Sequence, residues 1–142
     1  GFNQFKRLNL MIKVRSDNRD KIINKLTNSP LWQDQFTFFH PTKKIKPSWF
    51  GFPVLINKKY LSKKKKFLNL LNQRGIETRM IISGNFMNHS GIQIYNLNPN
   101  KRTFNNAQEI EDRGFFIGLH TESISEDTLS YLEKNLLIID KL

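Results

Sequence analysis

Arg79 is the side chain in this sequence with the clearest chemical use. It stands near the start of a β-rich run, Thr78 to Ile82, that closes on Ser83-Gly84-Asn85. A guanidinium is always charged, and its fork of N–H donors matches a carboxylate or phosphate at two points. On a core-facing strand it needs a partner, because burying an unpaired charge is costly. Arg79 is therefore either an anchor for an anionic ligand or one half of an internal salt bridge with Glu111 or Asp112. Ser83, Gly84 and Asn85 follow at the strand end, where α/β sheets carry their binding loops. A glycine there lets a ligand approach the backbone. A plain turn would use the same residues. His89 and Ser90 come next, in a polar segment that could act as a hydrogen-bonding lid or simply be solvated.

Groups that could do covalent or acid–base work are harder to bring together. His40, His89 and His120 are not spaced with another histidine or a carboxylate as metal ligands would be, and HExxH is absent. Neither a P-loop nor GxGxxG is present. Glu109, Glu111 and Asp112 cluster on a predicted short helix and read as solvated acids rather than an acid/base pair. No catalytic, cofactor-binding or metal-binding residue is assigned from these patterns. Lysines are abundant, but none has a context that marks it as a Schiff-base former.

The elements that must position these residues belong to one domain. The chain has 142 residues, 38% of them hydrophobic, enough for one core. The absence of cysteine excludes disulfides and thiolate metal sites and fits a cytoplasmic setting. No apolar run approaches the ~20 residues of a membrane helix. The first residue is Gly1 rather than Met, which reads as a cut fragment or a processed end. The formal charge of +11 goes with heavy use of Lys, Asn and Ile, and reads as a solvated lysine surface rather than a nucleic-acid face. The alternative function is a basic module for RNA or another polyanion, built on Lys63 to Lys66 and nearby aromatics.

Periodicity predicts a helix over 4–27, with Phe5, Leu8, Ile12, Ile22, Ile23 and Leu26 as its apolar stripe and Arg15, Asn18 and Arg19 interrupting it. Asn28-Ser29-Pro30 ends it. A short strand is expected near Phe36 to Phe39, then a basic connector from Pro41 to Pro47. Trp49 to Asn57 reads as a covered strand, with Pro53 marking an edge or bulge. Ser62 is the predicted N-cap of a helix running to Gln73, and Gly75 its stop. Thr78 to Ser83 is the second main strand. Gly84 to Asn105 is loop-like, with a weak apolar patch at Ile92, Ile94 and Tyr95. A short helix follows over Asn106 to Arg113, capped by Asn105 or Asn106, then a strand over Phe115 to Leu119. Ser125 opens the last helix, which buries Leu129, Leu132, Leu136 and Leu137. The expected fold class is α/β (α+β): a small, mostly antiparallel sheet of about three strands with helices packed mainly on one side, preceded by a long helix.

Three segments taken together resemble the DegT/DnrJ/EryC1/StrS family of pyridoxal-phosphate sugar aminotransferases. They are Ser48-Trp49-Phe50-Gly51-Phe52-Pro53, Gly75 to Asn85, and Asn106 through Arg113-Gly114-Phe115-Phe116-Ile117-Gly118-Leu119-His120. The branch most like this sequence contains aminotransferases and 3-dehydrases of 4-keto-6-deoxy nucleotide sugars, which serve deoxy- and amino-sugar and surface polysaccharide (lipopolysaccharide) biosynthesis. The resemblance implies the C-terminal part of a fold-type-I enzyme. Residues 1–28 would be a linking helix from a large domain, and 29–142 the small domain. The cofactor, pyridoxal phosphate or pyridoxamine phosphate, and the catalytic lysine or histidine would lie in the large domain, so this fragment alone would be inactive. Partners implied are a nucleotide sugar, glutamate as amino donor, and a second copy in a homodimer; neither a membrane nor nucleic acid is expected. Arg79 would grip the donor α-carboxylate, while Ser83, Asn85 and His89 would border the sugar-nucleotide pocket at the dimer interface. Where many relatives carry Gln-Pro after Gly-Asn, this sequence has His89-Ser90-Gly91.

Overall fold

The computed structural model describes residues 2–97 and 103–142. The chain opens in helix α1, Phe2–Thr27. The predicted stripe runs its whole length in sequence but not in burial. Ile22 and Leu26 are buried, whereas Phe5 and Leu8 are 73% and 43% exposed. The polar residues that interrupt the stripe are anchors. Asn18 is buried; its Nδ2 donates to the carbonyls of His120 (3.2 Å) and Glu122 (2.7 Å), and its Oδ1 accepts from the Ile124 amide (2.9 Å). Arg19 lies 4.5 Å from the Trp49 ring centre and donates to the Phe39 carbonyl and to Asp20. Buried polar groups satisfied in this way select one arrangement of neighbouring segments.

Among the described residues four strands make one antiparallel sheet: β1 Phe36–Phe38, β2 Gly51–Ile56, β3 Thr78–Arg79 and β4 Gly114–Gly118, in the order β1-β2-β4-β3. That is one more than expected, because the short Phe36 segment pairs fully with β2. Pro53 lies one residue beyond the last β1 pair, Phe38 with Val54. β2 is thus an edge at the proline and central from Val54 onward, which is where a strand tolerates a missing N–H.

Alternation sends Phe52, Val54, Ile56, Phe115 and Ile117 inward. They meet the inner end of α1, helix α2 (Lys64–Gln73) through Phe67 and Leu71, and helix α5 (Glu126–Leu136) through Leu129, Leu132 and Leu136. Phe36, Phe67 and Phe115 form a triangle of rings with centres 6.0, 6.3 and 6.0 Å apart, spacings at which tilted and edge-on aromatic contacts are favourable. Ser125 caps α5 as predicted, its Oγ accepting from the Thr128 amide at 3.2 Å.

Several expected details are corrected. The cap before α2 is Asn57, whose Oδ1 accepts from the Lys59 amide and opens a 3-10 turn over Lys58–Lys63; Ser62 lies inside that turn. The lysine row is less free than a solvated face. Lys63 donates to the Asp140 carbonyl (2.7 Å), Lys64 to those of Glu111 (3.1 Å) and Asp112 (2.7 Å), and Lys66 to that of Leu142 (3.2 Å). Cations suit these sites because carbonyls at helix C-termini carry partial negative charge and lack intrahelical donors. Helix α4 spans Asn105–Arg113 and starts after Phe104, without a side-chain cap from Asn105 or Asn106. The segment after β3 is only partly a loop: it holds a 3-10 turn, Phe86–Asn88, and a short helix α3, Ser90–Ile94. Ile92 is buried there, whereas Ile94 and Tyr95 are exposed. Among the described residues, no helix is long and apolar enough to cross a membrane.

Candidate functional site

β3 is much shorter than predicted. Only Thr78 and Arg79 pair with β4, opposite Ile117 and Phe116. Beyond them the chain leaves the sheet and turns at Ser83 and Gly84, whose φ angles are +67° and +49°. The Ile81 side chain packs over Gly114 instead, its Cδ1 2.8 Å from where a Cβ would stand there.

Arg79 does not face the core. Cross-strand partners share a face, so Arg79 lies beside Phe116 on the outer side of the sheet, with its side chain 63% exposed. Its Nε and Nη2 donate to Glu77 Oε1 at 2.9 and 2.7 Å. Neither Glu111 nor Asp112 is its partner. Glu77 and Arg79 are two residues apart, the spacing at which strand side chains point the same way. An exposed ion pair of this kind is worth little, so an incoming carboxylate can compete for the guanidinium. A small cavity of about 160 Å³ adjoins it, lined by Phe50, Glu77, Arg79, Phe116 and Gly118.

Ser83, Asn85 and His89 do come together, at the corner after β3. The Ser83 carbonyl accepts from His89 Nε2 at 2.9 Å. Asn85 is buried and fully engaged: its Oδ1 accepts from the Met87 amide (3.1 Å), its Nδ2 donates to Gln108 Oε1 (2.9 Å), and its main-chain amide donates to Glu111 Oε2 (2.6 Å). An open cleft of about 490 Å³ lies here, lined by Ile81, Ser83, Gly84, Asn88, His89 and Glu111 among others. Arg79 does not line it.

Glu111 is the group sequence reasoning missed. Its other oxygen accepts from Asn88 Nδ2 at 2.9 Å. The bonds from Asn88 and the Asn85 amide, with smaller help from the charges of His89 and Lys64, hold its carboxyl below the usual carboxylate range. Glu109 is likewise held low by hydrogen bonds from Lys58 and Arg113, and Arg113 Nε donates on to the Ile56 carbonyl at 2.7 Å. Burial lowers the pKa of Lys64 beneath α4, against the pull of Asp112 and Glu111. The acids of α4 are thus bonding centres rather than idle surface charge. The only available sequence signal was their clustering within four residues of one helix, which does not reveal a partner in a distant turn.

A larger cavity, about 570 Å³, is lined by Ile22, Ile76, Leu119, Tyr131 and Leu132 among others and shares Glu77 and Gly118 with the cavity beside Arg79; it contains none of the predicted site residues. Among the described residues no cluster of three or more His, Asp or Glu could hold a metal ion.

Residues 1–134 match the model of the DegT/DnrJ/EryC1/StrS aminotransferase family. The chain belongs to that family. It is 29% identical over 136 residues to the GDP-4-keto-6-deoxy-D-mannose 3-dehydratase of Escherichia coli O55:H7, covering 96% of this chain and 33% of the relative. A crystal structure of GDP-4-keto-6-deoxymannose-3-dehydratase with a trapped PLP-glutamate geminal diamine superposes with a TM-score of 0.71 at 27% identity, over 95% of this chain and 33% of that one. Helicobacter pylori PseC, an aminotransferase involved in the biosynthesis of pseudoaminic acid, gives a TM-score of 0.77 at 18% identity, covering 99% of this chain and 35% of that one; this likeness bears on the fold alone. The chain thus spans about 33% of the length of the dehydratase relatives.

Proposed function

We propose that this chain is the C-terminal part of a PLP-dependent enzyme that acts on a 4-keto-6-deoxy nucleotide sugar. Residues 1–28 form the linking helix and 29–142 the small domain. The enzyme is an aminotransferase or a 3-dehydrase of deoxy- and amino-sugar biosynthesis, working in the cytoplasm as a homodimer. Arg79 holds the α-carboxylate of glutamate, and the corner of Ser83, Asn85 and His89 borders the sugar nucleotide. The observation that carries this is the placement of Arg79: a guanidinium on the outer sheet face, held among the described residues only by an exposed Glu77 and flanked by the rings of Phe50 and Phe116. A carboxylate ligand fits that fork, and the aromatic flank suits the apolar stem of an amino acid. Asn85 serves by shaping the corner, since its side chain is already bonded on both atoms.

Among the described residues, no lysine lines the cleft at the corner. In this reading the chain supplies recognition, and the covalent chemistry belongs to the large domain. A basic polyanion-binding role finds no support: three of the lysines on which it rested donate to main-chain carbonyls.

The test is made on the enzyme encoded by the complete reading frame. Arg79→Ala should raise the glutamate KM about 10- to 100-fold, the loss expected for a charge-assisted bond. Arg79→Lys should restore part of it, and the nucleotide-sugar KM and the melting temperature should stay the same. An unchanged glutamate KM would remove Arg79 from the site. Transamination by the 142-residue chain alone would refute the proposed division of labour.

A further inference from the structure

The corner after β3 is held by more than its local bonds, which run from His89 to the Ser83 carbonyl and from the Met87 amide to Asn85. Ser83 and Gly84 are consecutive left-handed residues, φ +67° and +49°, a conformation serine rarely adopts unaided. Further bonds to the corner come from α4, more than 20 residues on in sequence. Glu111 Oε2 accepts from the Asn85 amide (2.6 Å) and Oε1 from Asn88 Nδ2 (2.9 Å). One turn earlier, Gln108 Oε1 accepts from Asn85 Nδ2 (2.9 Å) and Asn88 Nδ2 (3.0 Å), and its own Nε2 donates to Asp112 Oδ1 (2.9 Å), which fixes the amide's orientation. A Cβ on Gly84 would stand 2.7 Å from Glu111 Oε2. The glycine thus leaves room for the carboxylate to reach the turn. Beneath, Lys64 holds the end of α4 through the carbonyls of Glu111 and Asp112.

We propose that Glu111 is a positioning residue: its ionised carboxylate latches the Ser83–Ser90 corner to α4 and so sets the shape that the sugar nucleotide meets. The proposal rests on the corner bordering the sugar-nucleotide pocket, as proposed above. An ionised carboxylate accepts on both oxygens, which is what two N–H donors arriving from one side require. Glu111→Gln turns one of those oxygens into a donor facing an N–H group, so the latch opens while size and shape are kept.

Two measurements test it. In the 142-residue chain, hydrogen exchange of the Asn85 amide should accelerate at least about tenfold in Glu111→Gln, the loss expected when a bond to a charged acceptor goes. Exchange at Phe115 in the sheet should not change. In the enzyme from the complete reading frame, the same substitution should raise the nucleotide-sugar KM about tenfold through that same lost bond, with the glutamate KM unchanged. Unchanged Asn85 exchange overturns the latch and leaves the assignment of Arg79 standing. Faster exchange with an unchanged sugar KM overturns the positioning role and also removes the corner from the sugar site. If Glu111→Gln does not fold, Asn88→Ala deletes one donor from an exposed residue. It should speed Asn85 exchange by a smaller factor, and no acceleration there would sink the proposal.

Discussion

The two faces of the sheet are held by different physics. Inside, Phe52, Val54, Ile56, Phe115 and Ile117 are nearly inaccessible and meet helices over apolar surface. Outside, Phe50 is 67% exposed, Arg79 pairs with an exposed Glu77, and the adjoining corner takes bonds from Glu111 and Gln108. Burial is collective and tolerates no gap, whereas the corner depends on a few directional bonds. A rigid inner face can therefore carry an outer face whose side chains remain available to a ligand.

The largest effect should come from two adjacent phenylalanines in β4. Phe115 points into the ring triangle and Phe116 outward beside Arg79. Phe115→Ala should cost about 3–5 kcal/mol, the range for emptying an aromatic core site, and Phe116→Ala clearly less. Urea denaturation of the two variants makes the comparison. Equal losses would mean that the outer face is as much core as the inner one.

The inner face was legible because period-2 and period-3.6 patterns record burial directly. The stripe of Leu129, Leu132, Leu136 and Leu137 and the stop at Gly75 were found where expected. Thr78 to Ser83 read as a strand because its residues favour one, yet pairing stops at Arg79. Strand propensity yields to what a neighbour demands, here the pull of α4 on the Gly84-Asn85 turn. Arg79 was recognised as an anion group from its type, but its face was not, because a two-residue strand carries no alternation to read. Glu111 and the carbonyl-bonded lysines escaped for one reason: their partners are distant in sequence and are main-chain or amide groups, which leave no charge pattern.

A middle-sized effect should come from Asn18, a polar residue on the buried side. Asn18→Ala would leave the Ile124 amide and the carbonyls of His120 and Glu122 without their present partner. The expected loss is about 1–3 kcal/mol, read from thermal or urea unfolding. It should fall with faster hydrogen exchange across 120–124 and no change at Asn85. A loss spread evenly over the sheet would show that the polar anchor and the apolar core are one cooperative unit rather than two.

The smallest effect should be a pH dependence confined to the corner. Glu111 is held below the usual carboxylate range in the folded chain, so protonation favours the unfolded state. Its contribution is complete above the unfolded glutamate pKa of about 4.3 and is lost as pH falls through the lower folded value. The groups that face it are Asn88 and the Asn85 amide, the His89 ring and the Lys64 ammonium; Asp112 acts on Gln108 beside it. Glu109 titrates low as well, so acid unfolding of the parent chain alone cannot isolate the latch. The difference between the parent and Glu111→Gln can, because Glu109 is common to both. The parent's melting temperature should exceed that of the variant near neutrality and converge on it in acid. Curves that stay parallel to the acid limit would show that the carboxylate's charge does not hold the corner, and would leave packing against Gly84 as its whole contribution.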